Sequence, residues 1–353
     1  MENIKYAIVG LNHGKGHIPA ILANPGRKVV AVCDKDKSMI ETAAKLVREK
    51  TSSGNEVKQF FSIDELLDWG MFDAAVIAVP PKLHSELAVK ALNAGKHVLL
   101  EKPITNTLEE AEPLREACRK SKAVFQVGYE VRSSQLVSKT MEVINSGKIG
   151  DVVFVWWHMF LDYSEHERPY WQTVRKLGGG KLQDCCPHYI DVISIFAGAP
   201  FYRITAYGTA KGKKGPNPED MAEVAAVMFE YENGVKGNLN MSQITPANPN
   251  SLFGVAGTRG IIYGDPWLPE GAGSLDCYTE GCLYRERITI SGSMASRGHL
   301  GFVEQHDAFM KSILEGAKVV CSFDDAYEIL LMSQAIDRSV STGETVLRSD
   351  ITG

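Results

Sequence analysis

The feature that most constrains this chain is the rhythm of its first 130 residues, where short continuous apolar runs alternate with amphipathic stretches. Ile4–Gly10 reads as a buried strand, followed by a glycine-rich turn and a helical stretch over about Lys15–Ala23. Further strands are predicted at Lys28–Cys33, Val57–Phe61, Asp73–Val79, His97–Leu100 and Ala123–Val127. Between them, helical spacing runs over Ser38–Arg48, Ile63–Trp69, Leu83–Ala94 and Leu108–Lys120. A strand that is apolar throughout, rather than at every second position, is buried on both faces. A parallel sheet covered by helices gives that burial, so the pattern predicts a doubly wound α/β domain over residues 1–127.

After Gly128 the rhythm changes. Helical spacing over Val131–Ser146 leads into a long aromatic-rich strand, Asp151–Leu161, and a second helix over Leu182–Phe196. Strands then crowd together at Tyr202–Thr209, Glu223–Tyr231, Val235–Ser242, Leu252–Ala256 and Gly260–Tyr263, with Gly212–Asp220 as a loop. Asn233-Gly234 between two of them is a hairpin signal of type I′. Helices over Phe302–Leu314 and Asp325–Ser339 close the chain. Residues 128–353 therefore read as an α+β domain with a large, mostly antiparallel open sheet, whose exposed face is expected to be buried in an oligomer.

A length of 353 residues suits about two domains. The net charge of −5 gives no basic face for nucleic acid or an anionic membrane, and neither partner is expected. The seven cysteines form no CxxC pair and read as reduced thiols. MENIKYAIVG enters a strand directly, without the features of an export signal, and no apolar run reaches the roughly 18 residues of a membrane span. A cytoplasmic protein is expected.

Two segments carry cofactor chemistry. Gly10-Leu11-Asn12-His13-Gly14-Lys15-Gly16-His17 lies between the first strand and helix, where a dinucleotide fold needs a tight turn and backbone N–H groups facing the pyrophosphate. It departs from G-x-G-x-x-G: Asn12 holds the second glycine position and the third glycine is displaced by one. Asp34, 24 residues after Gly10 at the end of the second strand, can bind the adenosine ribose hydroxyls and would repel a 2′-phosphate. NAD is favoured over NADP, although Lys35 and Lys37 stand beside it.

Further along come Val79-Pro80-Pro81-Lys82-Leu83-His84, Glu101-Lys102-Pro103, and the run from Gly178-Gly179-Gly180 through Asp184, Cys185, Cys186, Pro187 and His188 to Asp191. Together with the glycine-rich start, these segments resemble the Gfo/Idh/MocA oxidoreductases over nearly the whole chain, including the closing Ser339-x-x-x-Gly343. Cys186 stands where the family usually has Gly, and Gln305 stands at the acidic position of the late helix between Phe302 and Phe309, with Glu304 one residue early. The resemblance implies a hydride exchange between NAD and a secondary alcohol or ketone of a sugar, inositol or sugar derivative. It also implies Lys102, Asp184 and His188 as catalytic residues, and Gly10, Asn12, His13, Gly14, Asp34, Pro80, His84, Glu101 and Lys102 around the cofactor. A cis Lys102–Pro103 bond and a homodimer or homotetramer are implied as well. Tyr129 and Arg132 match a family turn, with ligand contact and packing equally open.

The residues themselves agree with that chemistry. A lysine after the C-terminal end of a strand in an open α/β sheet lies where ligands bind and can polarise a substrate oxygen. Asp184 and His188 are spaced i, i+4, but Pro187 suits only a first helical turn, so the helix is expected to start near it. Adjacent Cys185 and Cys186 diverge by about 100° on a helix, and no metal is expected. In the aromatic stretch of Trp156, Trp157, His158, Tyr163 and Trp171, only one of Trp156 and Trp157 can face a substrate. Two other functions use the same fold: a redox-assisted glycosidase with recycled NAD, and a non-enzymatic NAD-binding regulator.

Overall fold

The structure, a computed structural model, describes residues 4–51, 57–161, 181–209, 211–212, 215–216, 222–245, 251–265, 272–281, 285–291 and 301–352. Side chains are described within these stretches except at 181–185, 211–212, 215–216, 272 and 291. Internal contacts divide the chain into two compact units, Met1–Ser133 with Met294–Tyr327, and Ser134–Ser293 with Glu328–Gly353.

The first unit carries six strands: β1 (Ile4–Val9), β2 (Arg27–Cys33), β3 (Lys58–Phe60), β4 (Ala74–Ile77), β5 (His97–Glu101) and β6 (Phe125–Gly128). All neighbours pair in parallel, in the order β3-β2-β1-β4-β5-β6. This is the doubly wound dinucleotide-binding order, with its switch point between β1 and β4. The central strands are apolar throughout because helices cover both faces: Tyr6, Ile8, Val32, Val76 and Leu99 are buried in one cluster with Leu11, Ile18 and Ile40.

The helices of this unit are α1 (Leu11–Gly14), α2 (His17–Leu22), α3 (Lys37–Lys50), α4 (Ile63–Trp69), α5 (His84–Asn93) and α6 (Leu108–Lys120). Their starts are chemically specified. Asp36, Ser62 and Thr107 accept hydrogen bonds at the N-termini of α3, α4 and α6 from the N–H groups of Ser38, Glu65 and Glu110. Each such cap stabilises a helix by about 1 kcal/mol. The single helix expected over Lys15–Ala23 is instead two short pieces, α1 beginning right after Gly10 and α2 after Gly16.

In the second unit, α7 (Gln135–Asn145) precedes β7 (Val152–Phe160) and α8 (Lys181–Ala197). Then come β8 (Phe201–Thr209), the short β9 (Lys211–Gly212) and β10 (Gly215–Pro216), β11 (Val224–Tyr231), β12 (Lys236–Ser242), β13 (Ser251–Gly257), β14 (Gly260–Asp265), β15 (Ala272–Thr279) and β16 (Glu286–Ser291). In the closing segments, α9 (Phe302–Glu315) belongs to the first unit, α10 (Phe323–Thr342) begins there and continues into the second, and β17 (Val346–Leu347) and α11 (Ser349–Thr352) belong to the second.

Nine strands form one sheet, β16-β15-β14-β13-β7-β12-β11-β8-β17, antiparallel except for the β7–β12 pair. Its register separates two faces. Ala206, Val227, Leu239, Trp157, Phe253, Gly264 and Leu275 lie in one row across the strands, and α8 packs on that side. Trp157 is buried there, stacked on Phe253 at 4.8 Å and donating from Nε1 to Ser251 Oγ at 2.7 Å. Gly264 is needed in this row, because a Cβ on it would lie 1.9 Å from the Phe253 ring. The opposite face carries Trp156, Met228 and Tyr263 in one row, with Tyr207 and Leu252 in the next.

The Asn233-Gly234 hairpin joins β11 and β12, but its connection is not the two-residue type I′ turn expected. Tyr231 N–H donates to the Val235 carbonyl and Gly234 N–H to the Tyr231 carbonyl, with Gly234 at φ +86°, a three-residue loop. Helix α8 does not start near Pro187: it is already helical at Lys181 and runs through the proline. Gly178–Gly180, Tyr163 and Trp171 lie outside the described residues, as do the side chains of Asp184 and Cys185. Among the described residues, no helix is long and apolar enough to cross a membrane.

A candidate cofactor and reaction site

The predicted cofactor residues of the first unit gather at the C-terminal ends of β1, β2, β4 and β5, where open α/β sheets bind ligands. Gly10 ends β1 at φ +83°, ψ +97°, a conformation that side chains disfavour. Its N–H donates to the Cys33 carbonyl at 2.9 Å, and a Cβ on it would lie 2.6 Å from the Ala78 carbonyl oxygen. Gly14 is similarly enclosed, since a Cβ there would lie 2.8 Å from Ile8 Cγ2. The turn therefore threads between β1 and the end of β4, while Asn12 is exposed and His13 half-buried.

Asp34 follows β2. Its Oδ2 accepts from Leu11 N–H at 2.7 Å and its Oδ1 from Asp36 N–H at 3.0 Å. These bonds fix the carboxylate over the start of α1 while leaving each oxygen a second lone pair for a ribose hydroxyl. The half-buried Asp34, the glycine turn and the outward Asn12 and His13 are a donor and acceptor set that fits a dinucleotide at the switch point.

His84, expected around the cofactor, ties two backbone segments together. It is fully buried, with Nδ1 2.7 Å from the Pro103 carbonyl and Nε2 2.9 Å from the Val79 carbonyl. Burial holds its imidazole below the ordinary range against the opposing pull of those carbonyls. Both ring nitrogens are engaged by backbone, so His84 ties the segment after β4, which contains Pro80, to the Lys102–Pro103 segment. It does not offer a free polar edge to a ligand.

Lys102 is half-buried at the end of β5, and the Lys102–Pro103 peptide bond is cis. Glu101 before it is buried. Its Oε1 lies 3.0 Å from His17 Nε2, and its Oε2 lies 3.2 Å from the Lys102 backbone N–H and 3.8 Å from His13 Nε2. Burial alone pushes the Glu101 carboxyl up, but His13, His17 and Lys102 together outweigh it and hold the group well below the usual carboxylate range. Gly128 on β6 leaves room for this carboxylate, since a Cβ there would lie 3.2 Å from Glu101 Oε1. Glu101 is thus an internal anchor of the Lys102 segment. His13, His17 and Glu101 bring donor atoms within 4.8 Å of one another, a spacing a metal ion could use only by displacing the His17–Glu101 hydrogen bond.

Behind Glu101 the contacts reach residues that sequence reasoning did not single out. His17 Nδ1 lies 3.0 Å from Nε2 of His306 on α9. Next to it, Arg27 donates from Nε and Nη2 to the Ile21 and Ala20 carbonyls, closing the C-terminal end of α2. Arg27 Nη1 also lies 3.2 Å from Asp307, which accepts from Asn24 at 3.1 Å. These polar contacts, together with Tyr6 and Phe309, attach α9 to β1, β2 and α2. The signal in the sequence was position: His17 occupies the apolar side of HIPAIL, and His306 lies between Phe302 and Phe309 on one helix face.

Tyr129 is buried, and Arg132 is committed within this unit: its Nη1 donates to the Val320 carbonyl at 2.9 Å and lies 3.3 Å from Asp325. Arg132 therefore packs the late segment, the structural alternative left open above. In the second unit, Asp184 and His188 occupy helical positions one turn apart on α8, and His188 is half-buried.

Comparison with known proteins places this geometry. Residues 4–129 match the profile of the Gfo/Idh/MocA oxidoreductase family, NAD-binding Rossmann fold, and residues 137–263 match the Gfo/Idh/MocA C-terminal domain. Levoglucosan dehydrogenase of Pseudarthrobacter phenanthrenivorans is 26% identical over 402 residues, covering 97% of this chain and 97% of that protein. The scyllo-inositol 2-dehydrogenase (NAD(+)) of Bacillus subtilis is 25% identical, covering 74% of each. The solved structure of a levoglucosan dehydrogenase in complex with NADH and L-sorbose has the same fold, with a TM-score of 0.85 at 23% identity, covering 98% of this chain and 99% of that one. An aldose-aldose oxidoreductase from Caulobacter crescentus, complexed with glycerol, gives a TM-score of 0.82 at 20% identity over 98% and 100% of the two chains. The sheet order, the glycine turn, the carboxylate after β2 and both profile matches lead to one assignment: this chain belongs to the Gfo/Idh/MocA family of NAD-dependent oxidoreductases.

Proposed function

We propose that this protein moves a hydride between NAD(H) and a secondary alcohol or ketone of a sugar, inositol or related polyol, with Lys102 as the proton-exchanging group. The observation that carries this reading is the Glu101-Lys102-Pro103 segment, held at the C-terminal end of β5 by a buried carboxylate, in the same unit as the Gly10 turn. Similarity to dehydrogenases of levoglucosan and scyllo-inositol supports the substrate class. A bound nicotinamide supplies the two-electron hydride exchange.

The chain's own residues do the rest. The Gly10–Gly14 turn holds the phosphates and Asp34 holds the adenosine ribose, which favours NAD over NADP. Lys102 donates to the substrate oxygen and takes or returns the hydroxyl proton. On α8, His188 shares that proton work, and Asp184, one turn before it, orients the imidazole. The first unit is the cofactor domain, and the second supplies substrate contacts. The outward sheet face, where Met228, Tyr263, Tyr207 and Leu252 are exposed, packs against a second copy in a homodimer or homotetramer. The seven cysteines form no CxxC pair, which suits a reducing, cytoplasmic setting.

The test is a panel of sugars, sugar acids, anhydrosugars and inositols with NAD, read by NADH absorbance. Turnover of at least one member supports the reading. Release of free aglycone from a glycoside without NADH accumulation would select the redox-assisted glycosidase instead. NAD binding with no turnover of any polyol or glycoside would overturn both.

A further inference from the structure

The reaction site described above ends at Glu101, but its hydrogen bonds continue inward through two buried imidazoles. Glu101 is ionised and can only accept, so the hydrogen between it and His17 resides on His17 Nε2. His306 is fully buried, and burial, with the Arg27 guanidinium adding to it, holds its imidazole well below the ordinary range. A neutral His306 carries one ring hydrogen. Placed on Nδ1, that hydrogen would be a buried N–H with no acceptor, because Nδ1 has no hydrogen-bond partner among the described residues. Placed on Nε2, it donates across 3.0 Å to His17 Nδ1 and leaves only a lone pair unmatched. An unsatisfied buried donor is the costlier choice.

The surroundings agree with one direction. Arg27 puts a guanidinium next to the pair and opposes a second cation on His306. Asp307, the nearest acid on the helix of His306, is already committed to Arg27 and Asn24. Tyr6 meets His306 edge-on at 5.9 Å, and Phe302 covers His17 at 4.7 Å. The Glu130–Ser133 turn, packed on α9, brings the buried Glu130 and also Arg132, which is held by Asp325. Beside Glu101, His13 meets His17 edge-on at 6.2 Å.

We propose that His306 and His17 form a directed relay of ring N–H groups, His306 Nε2–H to His17 Nδ1 and His17 Nε2–H to Glu101, that keeps an ionised carboxylate locked beside Lys102. Both histidines are positioning residues: they act on Lys102 through Glu101. Without the His306 donor, nothing fixes the ring hydrogen of His17 on Nε2. With its hydrogen on Nδ1, His17 no longer donates to Glu101, and the carboxylate beside Lys102 is released. The link to catalysis rests on Lys102 as the reaction centre; the relay itself does not.

The test uses the full chain with ¹⁵N-labelled histidine and its imidazole nitrogen spectra between pH 6 and 8. The wild type is expected to show His17 and His306 both as neutral Nε2–H tautomers. His306→Phe, which keeps a ring among Tyr6, Phe302 and Phe309, is expected to let His17 exchange into its Nδ1–H tautomer. His306→Gln keeps an amide donor and should preserve the native His17 tautomer, which also covers the case in which the Phe variant misfolds. In kinetics, His306→Phe should lower kcat roughly tenfold in that pH range, the scale of one charge-assisted hydrogen bond, with the NAD Kd within about twofold. An Nδ1–H His306 or a charged His17 in the wild type would overturn the relay, as would a His306→Phe spectrum in which His17 is unchanged. Predicted spectra with unchanged kinetics would leave the relay standing and overturn Lys102 as the centre it serves.

Discussion

Replacing Gly10 by Ala tests the cofactor turn at its tightest point. The added methyl would sit 2.6 Å from the Ala78 carbonyl oxygen, 2.7 Å from its carbon and 2.8 Å from Val79 Cγ1, two of them backbone atoms that cannot swing away. The position is also at φ +83°, ψ +97°, where an alanine is strained. Strain of this kind costs about 1–3 kcal/mol and overpacking a similar amount, so the combined cost is about 4 kcal/mol. For a unit of this size that corresponds to a fall in Tm of roughly 10 °C. The turn can relieve the clash only by moving off the end of β4, which displaces the backbone facing the phosphates. NAD at a hundred times the parent Kd should stabilise the parent by about 2.7 kcal/mol, and a hundredfold weaker site by only about 0.4 kcal/mol. Thermal melts with and without NAD read both effects. A Gly10→Ala protein that melts within about 2 °C of the parent and keeps its full NAD-induced rise would refute the close-packed turn.

Three further outcomes follow from the same geometry. Asp34→Ser should move the NAD-to-NADP preference towards NADP by roughly tenfold or more, by removing a like charge from the 2′-phosphate position; a native preference for NADP in cofactor titrations would contradict this. Burial depresses both His84 and His306, so below an ordinary histidine value of about 6.5 the unfolded chain binds more protons than the folded one. Tm should therefore be flat from about pH 7 upward and decline as pH falls below about 6.5, and a Tm that rises on acidification would contradict the buried neutral imidazoles. Met228→Glu, on the exposed row beside Trp156 and Tyr263, should reduce the assembled species in light scattering, and a parent that runs only as a 38.7 kDa monomer would remove the basis for that interface.

Much of the first unit was legible because its elements are locally determined. Ile63–Trp69 and Leu108–Lys120 have the predicted bounds, since Ser62 and Thr107 cap them and Gly70 and Ser121 end them. The parallel sheet followed from strands with no polar alternation. In the second unit the local signals thin out. Strand β15 was not foreseen because its inward positions are Gly273, Leu275 and Cys277, too small and mixed to stand out from a loop. The parallel β7–β12 pair depends on how distant strands are ordered, which no local pattern encodes. The site divides in the same way. Gly10, Asp34 and Lys102 stand beside strand ends, where the sequence places them. His84 was legible as a residue but not as a fully buried tie between two carbonyls. The His17–His306 contact spans 289 positions and joins two side chains that each look like ordinary helix residues.

The central claim is that Lys102 exchanges the proton of the reacting hydroxyl, and single-turnover kinetics of Lys102→Met with NAD and a substrate found in the polyol panel test it most directly. The account predicts a fall in the rate of NADH formation by roughly two to four orders of magnitude, the usual scale for a lost acid–base or oxyanion group. The NAD Kd should stay within about threefold, because the Gly10 turn and Asp34 hold the dinucleotide. NADH formation at the native rate in the Lys102→Met enzyme would contradict the claim.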